Sequence, residues 1–154
     1  MEPRLNYGKA APGAMKAMLA MERYIEEESG IEPALQDLVK LRASQINGCA
    51  YCVDMHYLDA RARGETEQRL STLVAWQETP FFTERERAAL LWTEKLTLIS
   101  IDRVPDEVYK QARLHFTDAE LANLTLIIGV INTWNRFCIS FRSEPGHYTP
   151  ERQG

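Results

Sequence analysis

Asn47-Gly48-Cys49-Ala50-Tyr51-Cys52-Val53-Asp54-Met55-His56 stands between two stretches of helical periodicity, and its reading decides the fold. Asn-Gly is a turn dipeptide, but no alternating apolar and polar segments flank it, so it joins two helices instead of closing a β-hairpin. Beyond the turn, a helix advancing about 100° per residue places positions 49, 52 and 56 at about 0°, 300° and 340°, within one stripe about 60° wide. Two thiols and a candidate base therefore share a face. Residues i and i+3 of a helix lie about 5 to 6 Å apart, inside the usual span of bridged cysteines, so the pair can cycle between dithiol and disulfide with little backbone movement.

Working outward, Pro33 suits a first helical turn, and Leu35, Leu38, Val39, Leu41, Arg42 and Ile46 carry that helix to Asn47-Gly48. Before it, Met15, Met18, Met21 and Ile25 recur at spacings of three to four in a helix from Pro12 to Ser29, with Gly30 as its stop. After it, the cysteine helix runs from about Cys49 to Arg63 and stops at Gly64, and a short helix covers Glu65 to Trp76. Thr83-Glu84-Arg85-Glu86 reads as a capping box opening a helix to about Ile99, and Thr117-Asp118-Ala119-Glu120 repeats the device. Between them a helix spans Pro105 to about Phe116. The last helix, Asp118 to about Arg142, is apolar nearly all round and is expected to be buried centrally or at a subunit interface. The pattern predicts an all-α bundle of about seven helices, with residues 1–154 forming one domain and 143–154 an irregular tail.

Hydrophobic residues make up 45% and charged residues 26%, and the net charge of −4 offers no general attraction to nucleic acid or an anionic membrane. The first thirty residues contain Arg4, Lys9, Lys16 and Glu26-Glu27-Glu28, with no uninterrupted apolar leader, so a cytoplasmic location is expected. Three cysteines are not a secreted disulfide framework, and in a reducing compartment Cys-x-x-Cys means redox chemistry or metal. Haem attachment needs His directly after the second cysteine, where Val53 stands. Zinc held by Cys49, Cys52, His56 and Asp37 is a weaker alternative, because structural sites usually draw ligands from separate segments. Cys138, in an apolar setting, reads as a small hydrophobe.

The redox reading assigns roles. Cys49 begins a helix, where unpaired N–H groups and the macrodipole favour thiolate, while His56 lies four residues beyond Cys52 and can take its proton. The helix end thus favours Cys49 as the attacking sulfur and the histidine favours Cys52; attack is assigned to Cys52, with Cys49 resolving. Asp37 is about 15 Å below the turn and His56 about 12 Å below it across an antiparallel hairpin, so Asp37 is the candidate orienter of the imidazole, unless it is merely solvated.

The run Leu38-Val39-Lys40-Leu41-Arg42-Ala43-Ser44-Gln45-Ile46-Asn47-Gly48 followed by Cys49 to His56 resembles the core of the carboxymuconolactone decarboxylase superfamily, in its alkyl hydroperoxidase D-like (AhpD-like) branch. Ile131-Asn132-Thr133-Trp134-Asn135-Arg136 resembles the last helix of its small members. The family pattern is a glutamate, eleven residues, then Cys-x-x-Cys-x-x-x-His; Asp37 occupies the glutamate position here, one methylene shorter. The resemblance implies an AhpD-like helical fold assembling as trimers or hexamers, and a peroxidase that reduces organic hydroperoxides through its cysteine pair without a cofactor. Its expected partners are a hydroperoxide substrate and a thioredoxin-like or lipoyl dithiol reductant. A disulfide-exchange protein serving another peroxidase, and a cofactor-free decarboxylase-like or small-molecule binding protein, are the alternatives.

Overall fold

The computed structural model describes residues 2–150, and every regular element among them is helical. The elements are α1 (Tyr7–Ala10), α2 (Pro12–Glu28), α3 (Pro33–Asn47), α4 (Ala50–Ala62), α5 (Glu67–Thr72), a 3-10 segment (Leu73–Glu78), α6 (Glu84–Thr97), α7 (Ile99–Asp102), α8 (Asp106–Arg113) and α9 (Asp118–Phe141). The one-turn helices α1 and α7 are additional to the seven expected, being too short to carry a periodic signal.

Local chemistry sets the boundaries. Pro12 and Pro33 occupy first turns, where a missing N–H costs nothing. Both capping boxes form: the side chains of Thr83 and Thr117 accept from the N–H groups of Glu86 and Glu120, whose carboxylates accept from the threonine N–H groups. Gly48 ends α3 in the left-handed region (φ 69°) and its N–H bonds back to the Gln45 carbonyl, reversing the chain into α4 without the steric penalty a side chain would incur.

α3 is the hub, packing against α4, α6 and α9. Every residue from Leu35 to Leu41 is buried. Leu35 and Val39 enter a core with Met18, Ile25, Leu124, Ile127 and Ile128, while Leu38 and Leu41 enter a second with Leu70, Leu73, Trp76 and Leu90. A third cluster gathers Ala43, Cys49, Cys52, Ile131 and Cys138. The polar residues on this surrounded helix are satisfied: Gln36 donates to the Ile31 carbonyl (2.8 Å), and Lys40 pairs with Glu22 (2.8 Å).

The expectation that α9 is buried all round needs qualification. Its inward stripe, Leu121, Leu124, Ile127, Ile128, Ile131, Asn135 and Cys138, is buried, but Ala122, Gly129 and Ile139 on the other side are exposed within the single chain. The helix is long and apolar enough to cross a membrane by length and composition, yet its stripe forms the core against α2, α3, α4 and α6. Beyond Phe141 the chain is irregular to residue 150, and residues 151–154 of the expected tail lie outside the described ones. The described part is docked: the Gly146 N–H bonds Asp54 (2.8 Å), and the Tyr148 hydroxyl donates to Asp59 (2.7 Å).

A three-cysteine candidate active site

The α3–α4 turn decides where the thiols stand. Cys49 is the N-cap of α4 rather than its first turn, with extended backbone, and its own N–H is bonded to the Ser44 carbonyl (3.0 Å). Cys52 follows at the third helical position and His56 one turn later. The hairpin tip is tied to α9 by a chain of amides: Asn47 donates to the side-chain oxygens of Asn132 (3.0 Å) and Asn135 (2.8 Å), and Asn135 donates to Ser44 Oγ (3.0 Å). This network, buried at Asn135 and Ser44, fixes the register of α9 against the motif.

That register brings a third sulfur to the site. The Sγ atoms of Cys49, Cys52 and Cys138 all lie within 4.8 Å of one another, and all three cysteines are free. The sulfurs are not on open surface, since Cys49 and Cys52 are each 1% exposed and Cys138 5%. They instead border two cavities. One, of about 250 Å³ at the hairpin tip, is lined by Cys49 and Cys138 with Gly48, Ala50, Tyr51 and Ser143. The other, of about 350 Å³, is lined by Cys52, Cys138 and His56 with Met55, Trp134 and Lys40. Cys138 faces both.

The sequence reading places the thiolate on Cys49 or Cys52, and the surroundings of the three thiols shift them in different directions. Hydrogen bonding with Cys138 pushes the Cys49 thiol up to about 11 and the Cys52 thiol well above its ordinary value. Cys138 is pulled far below the usual thiol range by the same contacts with Cys49 and Cys52, outweighing burial, with help from Ser143 and Tyr7, whose hydroxyl is 3.8 Å from its sulfur. Three sulfurs this close titrate as a coupled set, in which a charge on one is stabilised by the thiols of the other two.

His56 shares the larger thiol cavity with Cys52 and also borders a polar cavity of about 780 Å³ containing Asp37, Lys40, Asp59 and Arg63. Burial, reinforced by Lys40, pushes the imidazole down to about 3, so it is neutral at physiological pH. Its Nδ1 is 3.8 Å from the Asp59 carboxylate. Asp37 faces His56's polar cavity, but its carboxylate is turned to Arg63, 2.8 Å from Nε. That ion pair lacks hydrogen-bond alignment, leaving Oδ2 buried without a donor. Asp59 and Arg63 were not singled out from sequence, although both lie on the His56 stripe, three and seven residues on. The signal for Cys138 was fainter: it stands three residues after Asn135, a polar residue on the apolar buried face of α9.

Burial raises the Asp37 carboxyl to about 6, against the opposing pull of Arg63. The folded state therefore holds this proton more tightly than the unfolded chain, whose value is 3.8, and stability falls as pH rises between 3.8 and about 6. In urea denaturation at pH 4 and pH 7, Asp37→Asn is expected to gain on the wild type by about 2 kcal/mol between the two.

The sequence model of the carboxymuconolactone decarboxylase family matches residues 12–95, which contain Asp37, Cys49, Cys52 and His56. The uncharacterized protein YdfG of Bacillus subtilis is 47% identical over 140 residues, spanning 91% of this chain and 95% of its own length. A crystal structure from Agrobacterium tumefaciens, of a protein of unknown function provisionally described as an AhpD antioxidant-defence protein, superimposes with a TM-score of 0.91 at 45% identity, covering 96% of this chain and all (100%) of its own. An uncharacterized peroxidase-related protein of Ralstonia eutropha, described as an alkylhydroperoxidase AhpD core, shares the fold at a TM-score of 0.79 and 20% identity, over 91% and 74% of the two chains.

Proposed function

This chain belongs to the carboxymuconolactone decarboxylase family, in its AhpD-like branch, and from that premise we propose that it is a thiol-dependent peroxidase reducing hydroperoxides through a Cys49/Cys52 dithiol-disulfide cycle. The observation that carries the reading is the packing of both motif sulfurs within 4.8 Å on cavity walls, with neutral His56 beside Cys52 in one of them. Two thiols give up two electrons and two protons, and the hydroperoxide becomes an alcohol and water. His56 is the proposed base of this cycle: uncharged and on the same cavity wall as Cys52, it relays the thiol proton in step with the chemistry at the peroxide, because burial disfavours a standing imidazolium. Asp37 acts on the imidazole across the polar cavity, since Arg63 holds its carboxylate. The Tyr7, Leu19, Met55 and Trp134 side chains around Cys52 suit the apolar part of an organic hydroperoxide.

The disulfide so formed spans the helix start, and an external dithiol, thioredoxin-like or lipoyl, reduces it from the tip cavity that Cys49 borders. A reducing cytoplasm is the compartment in which such a reductant restores the pair. Exposed Ile139 on α9 and exposed Ile99 and Ile101 on α7 are consistent with a homo-oligomer, a trimer or hexamer, covering them. The test is consumption of cumene hydroperoxide by the reduced chain with dihydrolipoamide as reductant. One dithiol oxidised per hydroperoxide consumed is the expected result. Rapid disulfide exchange with the dithiol but no direct loss of hydroperoxide would make the chain an exchange protein and overturn the proposal.

A further inference from the structure

We propose that Cys138 is the third thiol of the redox centre and the sulfur that first attacks the hydroperoxide, with Cys52 resolving it and Cys49 receiving the disulfide by exchange. The peroxide step rests on the peroxidase reading above; the identity of the resting thiolate does not.

Three observations converge. The Cys138 sulfur stands within 4.8 Å of both motif sulfurs, close enough for either to reach it by side-chain rotation. Of the three it alone borders both cavities. It also has polar hydrogens around it: the Tyr7 hydroxyl lies 3.8 Å from its sulfur and 3.3 Å from the Ser143 hydroxyl, and the Cys49 and Cys52 thiols stand within 4.8 Å. Its position is held firmly: Arg142 adopts the left-handed conformation at the end of α9, and the N–H groups of Arg142 and Ser143 both bond the Cys138 carbonyl. A sulfur with two thiols and a tyrosine hydroxyl around it, and a cavity on either side, is arranged to carry charge rather than to fill space.

The chemistry closes without any further reactant. The resting Cys138 thiolate, its proton already released to solvent, attacks the distal peroxide oxygen. The S–O bond forms, the O–O bond breaks, and the departing alkoxide takes the Cys52 proton, relayed by His56 in the shared cavity, to leave as alcohol. The Cys52 thiolate then attacks the Cys138 sulfenic acid, forming the Cys52–Cys138 disulfide, and the expelled hydroxide takes the Cys49 proton to leave as water. The Cys49 thiolate attacks Cys52 and expels Cys138. Exchange runs in this direction because the sulfur whose anion is most stabilised is the best leaving group, and a low-pKa thiol leaves fastest. The oxidising equivalent thus passes from the substrate cavity to the tip, and Cys138 is regenerated as thiolate.

Two measurements test this on the full chain. In the first, the reduced wild type is alkylated with iodoacetamide at pH 6, and the order of labelling is read by peptide mass spectrometry. Cys138 is expected to be labelled at least about 10-fold faster than Cys49 or Cys52; faster labelling of either motif cysteine overturns the proposal. In the second, Cys49→Ser receives one equivalent of cumene hydroperoxide. The expected product is a disulfide joining tryptic peptides 43–61 and 137–142. A sulfenic acid on Cys52 beside an alkylatable Cys138 overturns it. Cys138→Ser is expected to slow the first oxidation at least about 100-fold, and an unchanged rate likewise sinks the attack assignment. If the wild type consumes no hydroperoxide while Cys138 labels first, the peroxidase reading fails with its peroxide step, and the thiolate assignment stands; consumption with Cys138 inert refutes this inference alone.

Discussion

Cys52→Ser is expected to lose catalytic consumption of hydroperoxide by about 100-fold or more while retaining its fold. Serine is nearly isosteric with cysteine, and the site tolerates a hydroxyl because Tyr7 and Ser143 already bring hydroxyl groups to it. What disappears is the sulfur that Cys49 and Cys138 both reach within 4.8 Å. No disulfide can then close within the motif, so an oxidised sulfur depends on the slower routes left to it, closure between Cys49 and Cys138 or direct attack by the dithiol on a buried sulfenic acid, and steady turnover falls steeply. Cys49→Ser is expected to fail for a related reason, stranded with Cys52 oxidised. Steady-state hydroperoxide consumption under dithiol, read beside the intact mass after a single equivalent of oxidant, checks both. Wild-type turnover in Cys52→Ser would remove the motif from the chemistry.

The second large effect is on acid stability. His56 is held at about 3 in the folded protein, against 6.5 for an unburied imidazole, chiefly because burial opposes its charge. The unfolded chain therefore binds a proton that the native state refuses, and stability falls as pH drops from 6.5 toward about 3. At pH 5, 1.5 units below the unfolded value, the loss is about 2 kcal/mol relative to neutral pH. His56→Gln removes the titration, so its urea-unfolding free energy is expected to change by about 2 kcal/mol less than the wild type's between pH 7.5 and pH 5. Asp37 titrates with the opposite sign between 3.8 and about 6, which makes Asp37→Asn steeper in acid than the wild type and separates the two groups experimentally. Identical pH profiles for His56→Gln and wild type would show that the imidazole is not held neutral by its surroundings.

Much of the fold was legible because it is encoded within a few residues. The two threonine-glutamate capping boxes, the prolines opening α2 and α3 and the left-handed Gly48 each fix a local backbone conformation, and each formed where expected. The common cavity of Cys52 and His56 follows from the pitch of one helix in the same way. The orientation of Asp37 did not follow, because its carboxylate could turn toward His56 or Arg63, and burial beside a permanent cation chose Arg63. Nor did the burial of α9, where composition cannot tell which apolar residues the rest of the chain will cover.

By itself the sequence determined the seven main helices, the capping boxes, prolines and glycine at several of their ends, and the pairing of two thiols with a histidine on one hairpin, since these depend on spacings of about two helical turns or less. Only the tertiary structure decided that Cys138, 86 residues beyond Cys52, completes a cluster of three sulfurs. That outcome depends on the angle and register at which α9 crosses α3 and α4, set by side-chain packing and by the Asn47, Asn132 and Asn135 amides, and no local periodicity carries that information.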